Sequence, residues 1–130
     1  IVKAYRMQDK VRAVGFDWEK REEVWDKVRE EISEFEEELK KNADVDLAKE
    51  TENNANCKLE GEFGDLLFSL INAARLYNIN PDSALEMTNR KFLKRFGYIE
   101  SETAKRGLSI KSLSLEEMDR LWNEAKCLEK

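Results

Sequence analysis

Histidine is absent from this 130-residue sequence, and its absence excludes several kinds of active site. Without histidine the chain cannot form a Ser–His or Cys–His nucleophilic pair, a His-ligated zinc site or the Glu-x-x-His motifs of di-iron helix bundles. Any chemistry must therefore use carboxylates, lysine, arginine, tyrosine or a bound metal ion.

Proline, glycine and cysteine are also scarce. One Pro and five Gly argue against a β fold with many turns, whereas the frequent Glu, Lys, Leu, Arg and Ala are typical of long amphipathic helices. Cys57 and Cys127 match no metal or disulfide spacing, so we expect two reduced thiols in a cytoplasmic protein. No apolar run approaches the ~18 residues of a membrane span, and no signal peptide is visible.

The charge balance limits the partners of the chain. Its 28 acidic and 23 basic residues give a net charge of −5, which disfavours binding to a nucleic-acid polymer or to an anionic membrane. A small phosphorylated substrate stays compatible with this charge, because bound cations reverse its sign locally.

Apolar periodicity and capping signals predict five helices in one all-α domain over 1–130. Asn80-Pro81 and the Ser114…Glu117 pair are helix start signals, and short connections predict an antiparallel bundle. Because the sequence starts with Ile1 inside a helical pattern, we expect a domain of a longer protein. The expected helices cover about 2–14, 19–41, 58–77, 81–105 and 115–127, with an Asn-rich polar loop over 42–57.

Two acidic residues interrupt the apolar pattern of the second helix. Glu31 lies between Val28 and Phe35 in the middle of the apolar stripe, and Glu34 lies on its flank. Most helical glutamates are simply solvated. The position of Glu31 on the apolar stripe favours a functional role instead.

The third helix carries the stronger signal. Apolar residues cover nearly its whole circumference, which predicts a largely buried helix, yet Glu62 and Asp65 begin a narrow polar strip along it. Buried carboxylates need cations, supplied either by basic side chains or by metal. Gly61 and Gly64 bracket Glu62, and either close helix packing or space for ions and phosphate explains them. The strip continues with Ser69 and Asn72.

Two carboxylate pairs at i, i+3 spacing can therefore face each other across a helix–helix contact. A site made only of carboxylate oxygens selects Mg²⁺ or Mn²⁺ over zinc or copper. The alternative is a network of ion pairs with basic residues of the fourth helix. The four carboxylates are Glu31, Glu34, Glu62 and Asp65.

Basic residues suitable for phosphate binding accompany these acids. Lys91 and Arg95 lie one turn apart on the fourth helix, and Lys58 precedes Glu62 by one turn. Such side chains are commonly solvent-facing, but next to a metal–carboxylate site they suit phosphate contacts. Trp18, Trp25 and Trp122 are available for stacking or core packing. The expected buried stripe of the fourth helix comprises Leu85, Thr88, Phe92, Phe96 and Ile99, with Asn89 on the same face.

These residues occur in an order that resembles a known family. Glu30-Glu31-x-x-Glu34 followed by Glu62-x-x-Asp65 resembles the EExxE…ExxD signature of MazG-like nucleotide pyrophosphohydrolases. The similarity spans nearly the full chain and is greatest to the catalytic C-terminal domain of bacterial MazG. The spacer departs from the family pattern by its length, and Gly61 stands where relatives often carry another acid. The other matching blocks are 11–18, 89–96 and 118–126.

The resemblance implies an all-α fold whose four-helix core is completed by homodimerisation. It also implies Mg²⁺-dependent hydrolysis of (deoxy)nucleoside triphosphates to the monophosphate and pyrophosphate, with broad specificity. By position, the catalytic metal ligands would be Glu31, Glu34, Glu62 and Asp65. The substrate-binding residues would be Lys58, Lys91, Arg95, Asn89 and Trp122.

Two other functions stay open. Dimeric dUTP/dCTP pyrophosphatases and phosphoribosyl-ATP pyrophosphatases share the metal site but select a narrower substrate. A non-catalytic helical module for dimerisation or regulation is the other possibility. The intact set of four acids argues against the module, because a bundle without a metal gains stability when apolar residues replace buried charges.

Overall fold

The computed structural model describes residues 1–42 and 53–129, with side chains in the second range described from residue 57. No strand occurs in these two ranges, and the predicted all-α fold class is confirmed. The α-helices described are α1 (Val2–Arg12), α2 (Val24–Lys41), α3 (Asn53–Leu76), α4 (Pro81–Lys105) and α5 (Leu115–Leu128).

Three helix boundaries differ from the prediction. α1 ends at Arg12, before the turn in which Gly15 has a φ of +95°. The second predicted helix starts as a short 3₁₀ helix at Arg21–Glu23 and becomes α-helical from Val24. α3 begins at Asn53, so the predicted loop is wrong over 53–57. Asparagine is a poor former of helix interiors but is well accepted near a helix start. The rest of the spacer, 43–52, lies outside the described residues.

The chain divides into two compact units, the first of which is Ile1–Asp82. In this unit α2 packs along α3, and α1 also contacts α3. Val24, Val28 and Ala73 form its buried core, and each fully buried valine contributes roughly 1.5–3 kcal/mol relative to an exposed one. Leu66, Leu76 and Tyr77 pack against this core.

A short turn ends α3 and leads to α4. Asn78 has a φ of +58°, which asparagine tolerates better than most residues. The N–H of Ile79 donates to the carbonyl of Ala74 at 2.8 Å, which satisfies a carbonyl at the helix end. α4 then starts at Pro81, whose fixed φ suits a first helical position.

The second unit covers Ser83–Lys130. Its core consists of Ile99, Leu113 and Leu121. The hydroxyl of Ser114 accepts the N–H of Glu117 at 3.1 Å and donates to its carboxylate at 3.2 Å, so Ser114 caps the start of α5 as predicted. A 3₁₀ helix at Ile110–Ser112 precedes it, and Tyr98, Ile110, Met118 and Trp122 pack against the core.

Apolar side chains remain on the surface of the single chain. The buried stripe expected on α4 is wrong except at Ile99, because Phe92 is 54% exposed and Phe96 is 38% exposed. α3 is likewise only partly buried, since Phe63, Leu67, Phe68 and Leu70 are exposed. Within the described residues, these apolar side chains of α3 and α4 are left uncovered.

The structure also bears on the two cysteines and on membrane-spanning helices. Cys57 and Cys127 are both free and exposed. In the described ranges, no helix combines the length and the apolar character that crossing a membrane requires.

Candidate metal centre

The packing of α2 on α3 brings three carboxylates together. Glu31 comes from α2, and Glu62 and Asp65 come from α3. Each offers one oxygen atom, and these oxygens all lie within 4.8 Å of one another. Glu31 is only 6% exposed, Glu62 is half-buried and Asp65 is exposed. The cluster therefore extends from the helix contact to the protein surface.

Helical spacing explains why these side chains meet. Glu62 and Asp65 are three residues apart and share one face of α3. On α2, Glu31 follows the buried Val28 by three residues and so points toward α3. Beyond Glu31, Phe35 packs edge-on against Phe63 with ring centroids 5.5 Å apart, which fixes the distance between the helices at this point.

The described residues balance only part of the negative charge in the cluster. One oxygen of Glu31 lies 2.9 Å from the ammonium of Lys27. The other oxygen of Glu31 and one oxygen of Glu62 are buried and have no hydrogen-bond partner among the described residues. Buried polar atoms are nearly always hydrogen-bonded, and leaving a charged one unsatisfied is costly. Two such oxygens in one cluster point to a missing positive partner.

Glu34, the fourth predicted ligand, lies outside the group of three and is exposed. The negative charge of Glu31 raises the pKa of Glu34, and burial and the charge of Glu62 raise it further. Glu34 is therefore close enough to sense the cluster.

The donor set fits a hard divalent cation. Carboxylate oxygens are the preferred ligands of Mg²⁺ and Mn²⁺, and the two unpartnered oxygens are available for coordination. A Cβ added at Gly61 or at Gly64 would have no described atom within 4 Å. Close packing against other described residues therefore does not explain these glycines, and the open space beside Glu62 agrees with the second explanation.

Comparison with known proteins identifies the family. Residues 19–98 match the MazG nucleotide pyrophosphohydrolase domain. The chain belongs to this family. The match covers α2, α3 and most of α4, and so includes all three clustered carboxylates.

Curated relatives of this MazG-family domain come from several bacteria. The nucleoside triphosphate pyrophosphohydrolase/pyrophosphatase MazG of Thermotoga maritima is 40% identical over 123 residues, which are 95% of this chain and 42% of the relative. The nucleoside triphosphate pyrophosphohydrolase of Escherichia coli K12 is 39% identical over 126 residues, 97% of this chain and 44% of the relative. The uncharacterized protein YabN of Bacillus subtilis is 56% identical over 68 residues, 52% of this chain and 14% of the relative. The chain spans less than half the length of these relatives.

The predicted substrate-binding residues of the MazG domain lie on three helices. Lys58 is exposed on α3, four residues before Glu62. Asn89 and Lys91 are exposed on α4 in the second unit. Arg95 in the same unit is already paired, because its guanidinium donates to both carboxylate oxygens of Glu129 at 3.0 and 2.9 Å.

Arg95 also lies over the ring of Trp122, 5.4 Å from its centroid. The hydrogen bonds that Arg95 donates to Glu129 raise the pKa of Arg95, and the same bonds lower the pKa of Glu129. The half-buried Trp122 also packs against Phe92 at a centroid distance of 5.6 Å. Arg95 and Trp122 thus form one contact within the second unit, held by a carboxylate that the sequence did not single out.

A partly buried ion pair at the other end of α3 was not evident from the sequence. Arg75 donates to Asp17 at 2.6 Å and to the side-chain oxygen of Asn72 at 2.8 Å. Burial raises the pKa of Asp17, but the hydrogen bond and charge of Arg75 outweigh it, so that the pKa is lowered overall. The signal available in the sequence was a basic residue in the mostly apolar C-terminal half of α3.

A cavity of about 470 Å³ adjoins this ion pair. Its apolar wall includes Phe16, Trp18 and Phe68. The buried Gln8 donates its amide N–H to the carbonyl of Phe68 at 2.9 Å, which leaves its own carbonyl oxygen buried and without a partner in the described structure. Phe68 follows Asp65 by one helical turn, so the cavity lies farther along α3 from the carboxylates.

Proposed function

We propose that this MazG-family domain hydrolyses nucleoside triphosphates to the monophosphate and pyrophosphate at the carboxylate cluster, in a Mg²⁺-dependent reaction. The observation that carries the proposal is the convergence of Glu31, Glu62 and Asp65 with two buried oxygens left unpaired. The family assignment supports the reaction class, and two of the curated relatives carry a name that states this activity.

In the proposed site, the three clustered carboxylates and Glu34 hold Mg²⁺, for which Mn²⁺ can substitute. Mg²⁺ bound to such residues lowers the pKa of a water molecule and polarises phosphate oxygens. Lys58, Lys91 and Arg95 are the proposed phosphate contacts. A phosphate oxygen pair would replace the carboxylate of Glu129 on Arg95, because both groups match the planar fork of a guanidinium.

The cavity beside α3 is the proposed nucleobase site. Phe16, Trp18 and Phe68 supply aromatic surface for stacking. The unpartnered oxygen of Gln8 can accept a hydrogen bond from a base N–H group. Asn89 and Trp122 stay predicted substrate contacts.

A homodimer is part of the proposal. The apolar side chains exposed on α3 and α4 support it, since a second copy would remove them from water. The cytoplasmic location, the absence of a nucleic-acid polymer as partner and the single catalytic domain over 1–130 also stay predictions.

The decisive experiment is product analysis with Mg²⁺ across the eight common ribo- and deoxyribonucleoside triphosphates, together with dUTP and phosphoribosyl-ATP. We expect pyrophosphate and the monophosphate from several nucleotides. Turnover of dUTP or dCTP alone, or of phosphoribosyl-ATP alone, would instead favour a narrower pyrophosphatase. Release of inorganic phosphate without pyrophosphate would contradict the proposal.

Variants of the cluster locate the activity. Glu62→Gln and Asp65→Asn should each lower kcat on the order of a hundredfold or more, with helicity by circular dichroism unchanged. Glu37→Gln, on the exposed side of α2, is the matched control and should retain full activity. Normal turnover in both cluster variants would remove the proposed site. A chain that binds no nucleotide in the presence of Mg²⁺ would favour the helical module.

A further inference from the structure

Lys27 contacts the carboxylate cluster, and the proposed function gives it no role. It lies on α2 one turn before Glu31, and its ammonium is 2.9 Å from one oxygen of Glu31 and 3.7 Å from an oxygen of Glu30. The side chain of Lys27 is 42% exposed, whereas that of Glu31 is 8% exposed. A partly solvated cation therefore touches the most buried carboxylate of the site.

No other basic side chain of the described residues shares this position. Apart from Lys27, no Lys or Arg nitrogen in those ranges lies within 4.0 Å of Glu31, Glu62 or Asp65. Three carboxylates thus face one ammonium, and the two oxygens that it does not reach stay without a partner. Lys27 compensates only part of the charge that a divalent cation would compensate.

We propose that Lys27 is a positioning residue that acts as a surrogate cation, holding Glu31 in place in the metal-free protein and lowering the affinity of the cluster for the divalent ion. The inference rests on the proposed function, because it requires that the cluster binds metal. Lysine suits this role, since its flexible stem lets the ammonium withdraw into solvent when a stronger cation arrives.

Electrostatics determines whether the charge of Lys27 raises or lowers the affinity for metal. In the metal-free state, the ammonium attracts Glu31 and relieves repulsion among the acids. In the metal-bound state, the same positive charge either repels the ion or has left its partner. For one unit charge in a partly solvated site, we expect a change in metal affinity of roughly three- to tenfold.

The test compares wild type with Lys27→Met by calorimetric titration with Mn²⁺ and by thermal unfolding in EDTA. The variant should bind Mn²⁺ about three- to tenfold more tightly. Its Tm in EDTA should fall by roughly 2–4 °C, because a buried carboxylate loses its partner, and saturating Mn²⁺ should remove this difference.

Two matched variants control the comparison. Lys27→Arg retains the charge and should stay close to wild type in both measurements. Arg29→Met removes an exposed ion pair with Asp26 from the same helix, and it should change neither the Kd for Mn²⁺ nor the Tm in EDTA appreciably. Should Lys27→Met fail to fold, Lys27→Gln gives the same comparison with an uncharged donor.

The outcomes separate this inference from the proposed function. Unchanged or weaker Mn²⁺ binding in the uncharged variants, with normal binding in wild type, would overturn the surrogate role alone. Absence of Mn²⁺ binding in wild type would overturn both the surrogate role and the metal-dependent reaction.

Discussion

Helix α3 takes part in two charged clusters, and they differ in whether their polar atoms are satisfied. Near its C-terminal end, Arg75 is held by Asp17 and Asn72, so positive and negative groups match. Toward its N-terminal end, Glu62 and Asp65 join Glu31, and two buried oxygens have no partner in the described residues. We call the Arg75 cluster closed, because its charges pair within the protein, as expected of a structural ion pair. We call the Glu31 cluster open, because its unpaired oxygens are free to bind a ligand.

The same energetic rule predicts opposite responses of the two clusters. Removing one member of a buried ion pair leaves an uncompensated charge and is strongly destabilising. Removing one member of a group of like charges instead relieves repulsion. Substitutions in the two clusters should therefore change stability with opposite signs when no metal is added.

The largest expected change in stability is at the closed cluster. Arg75→Met should lower the free energy of unfolding by about 2 kcal/mol, because Asp17 and Asn72 lose their hydrogen bonds to a charged donor. Urea denaturation measures this change. Arg90→Met removes an exposed pair with Glu86 and should cost at most about 0.5 kcal/mol. Equal small losses in both variants would break the distinction between the clusters.

A smaller effect, of the opposite sign, is expected at the open cluster. In EDTA, Asp65→Asn should raise the free energy of unfolding by up to about 1 kcal/mol, since it reduces repulsion near Glu31 and Glu62. With saturating Mn²⁺ the wild type should instead be the more stable of the two, because it binds the stabilising ion more tightly than the variant does. Destabilisation by Asp65→Asn in EDTA would show that the protein itself satisfies the cluster.

The smallest expected effect is a change of stability with pH in the acid range. The pKa of Asp17 is lowered in the folded state, so its ion pair stabilises the fold above the ordinary carboxyl pKa of about 3.9. This contribution is lost as the pH falls through the lower, folded-state value. The Tm difference between wild type and Asp17→Asn should therefore be largest near neutral pH and shrink in strong acid. A Tm difference that stays constant from neutral pH to strong acid would show that the ionised carboxylate of Asp17 does not stabilise the fold.

Local signals in the sequence were sufficient where a feature depends on neighbouring residues. The Asn80-Pro81 signal placed the start of α4 correctly, and the Ser114…Glu117 pair did the same for α5. The i, i+3 spacing of Glu62 and Asp65 likewise put both acids on one helix face. These features require only backbone geometry and capping.

Features that depend on distant residues were not predictable in this way. Asp17 and Arg75 are 58 positions apart, and neither has a local pattern that specifies the other. Glu129 and Arg95 are 34 positions apart, so the sequence also did not predict that Arg95, an expected phosphate contact, pairs with Glu129. The buried stripe of α4 failed for a related reason, because periodicity identifies an apolar face but not what covers it.

The turn at Asn78 limits how the chain can vary in length. Only positions 77–80 separate the end of α3 from the start of α4, and the N–H groups of Asn78 and Ile79 donate to carbonyls of the last turn of α3. Deleting Asn78 or Ile79 would remove one of these two donors and leave a carbonyl at the end of α3 without its hydrogen bond. Evolutionary deletions should accordingly avoid this turn.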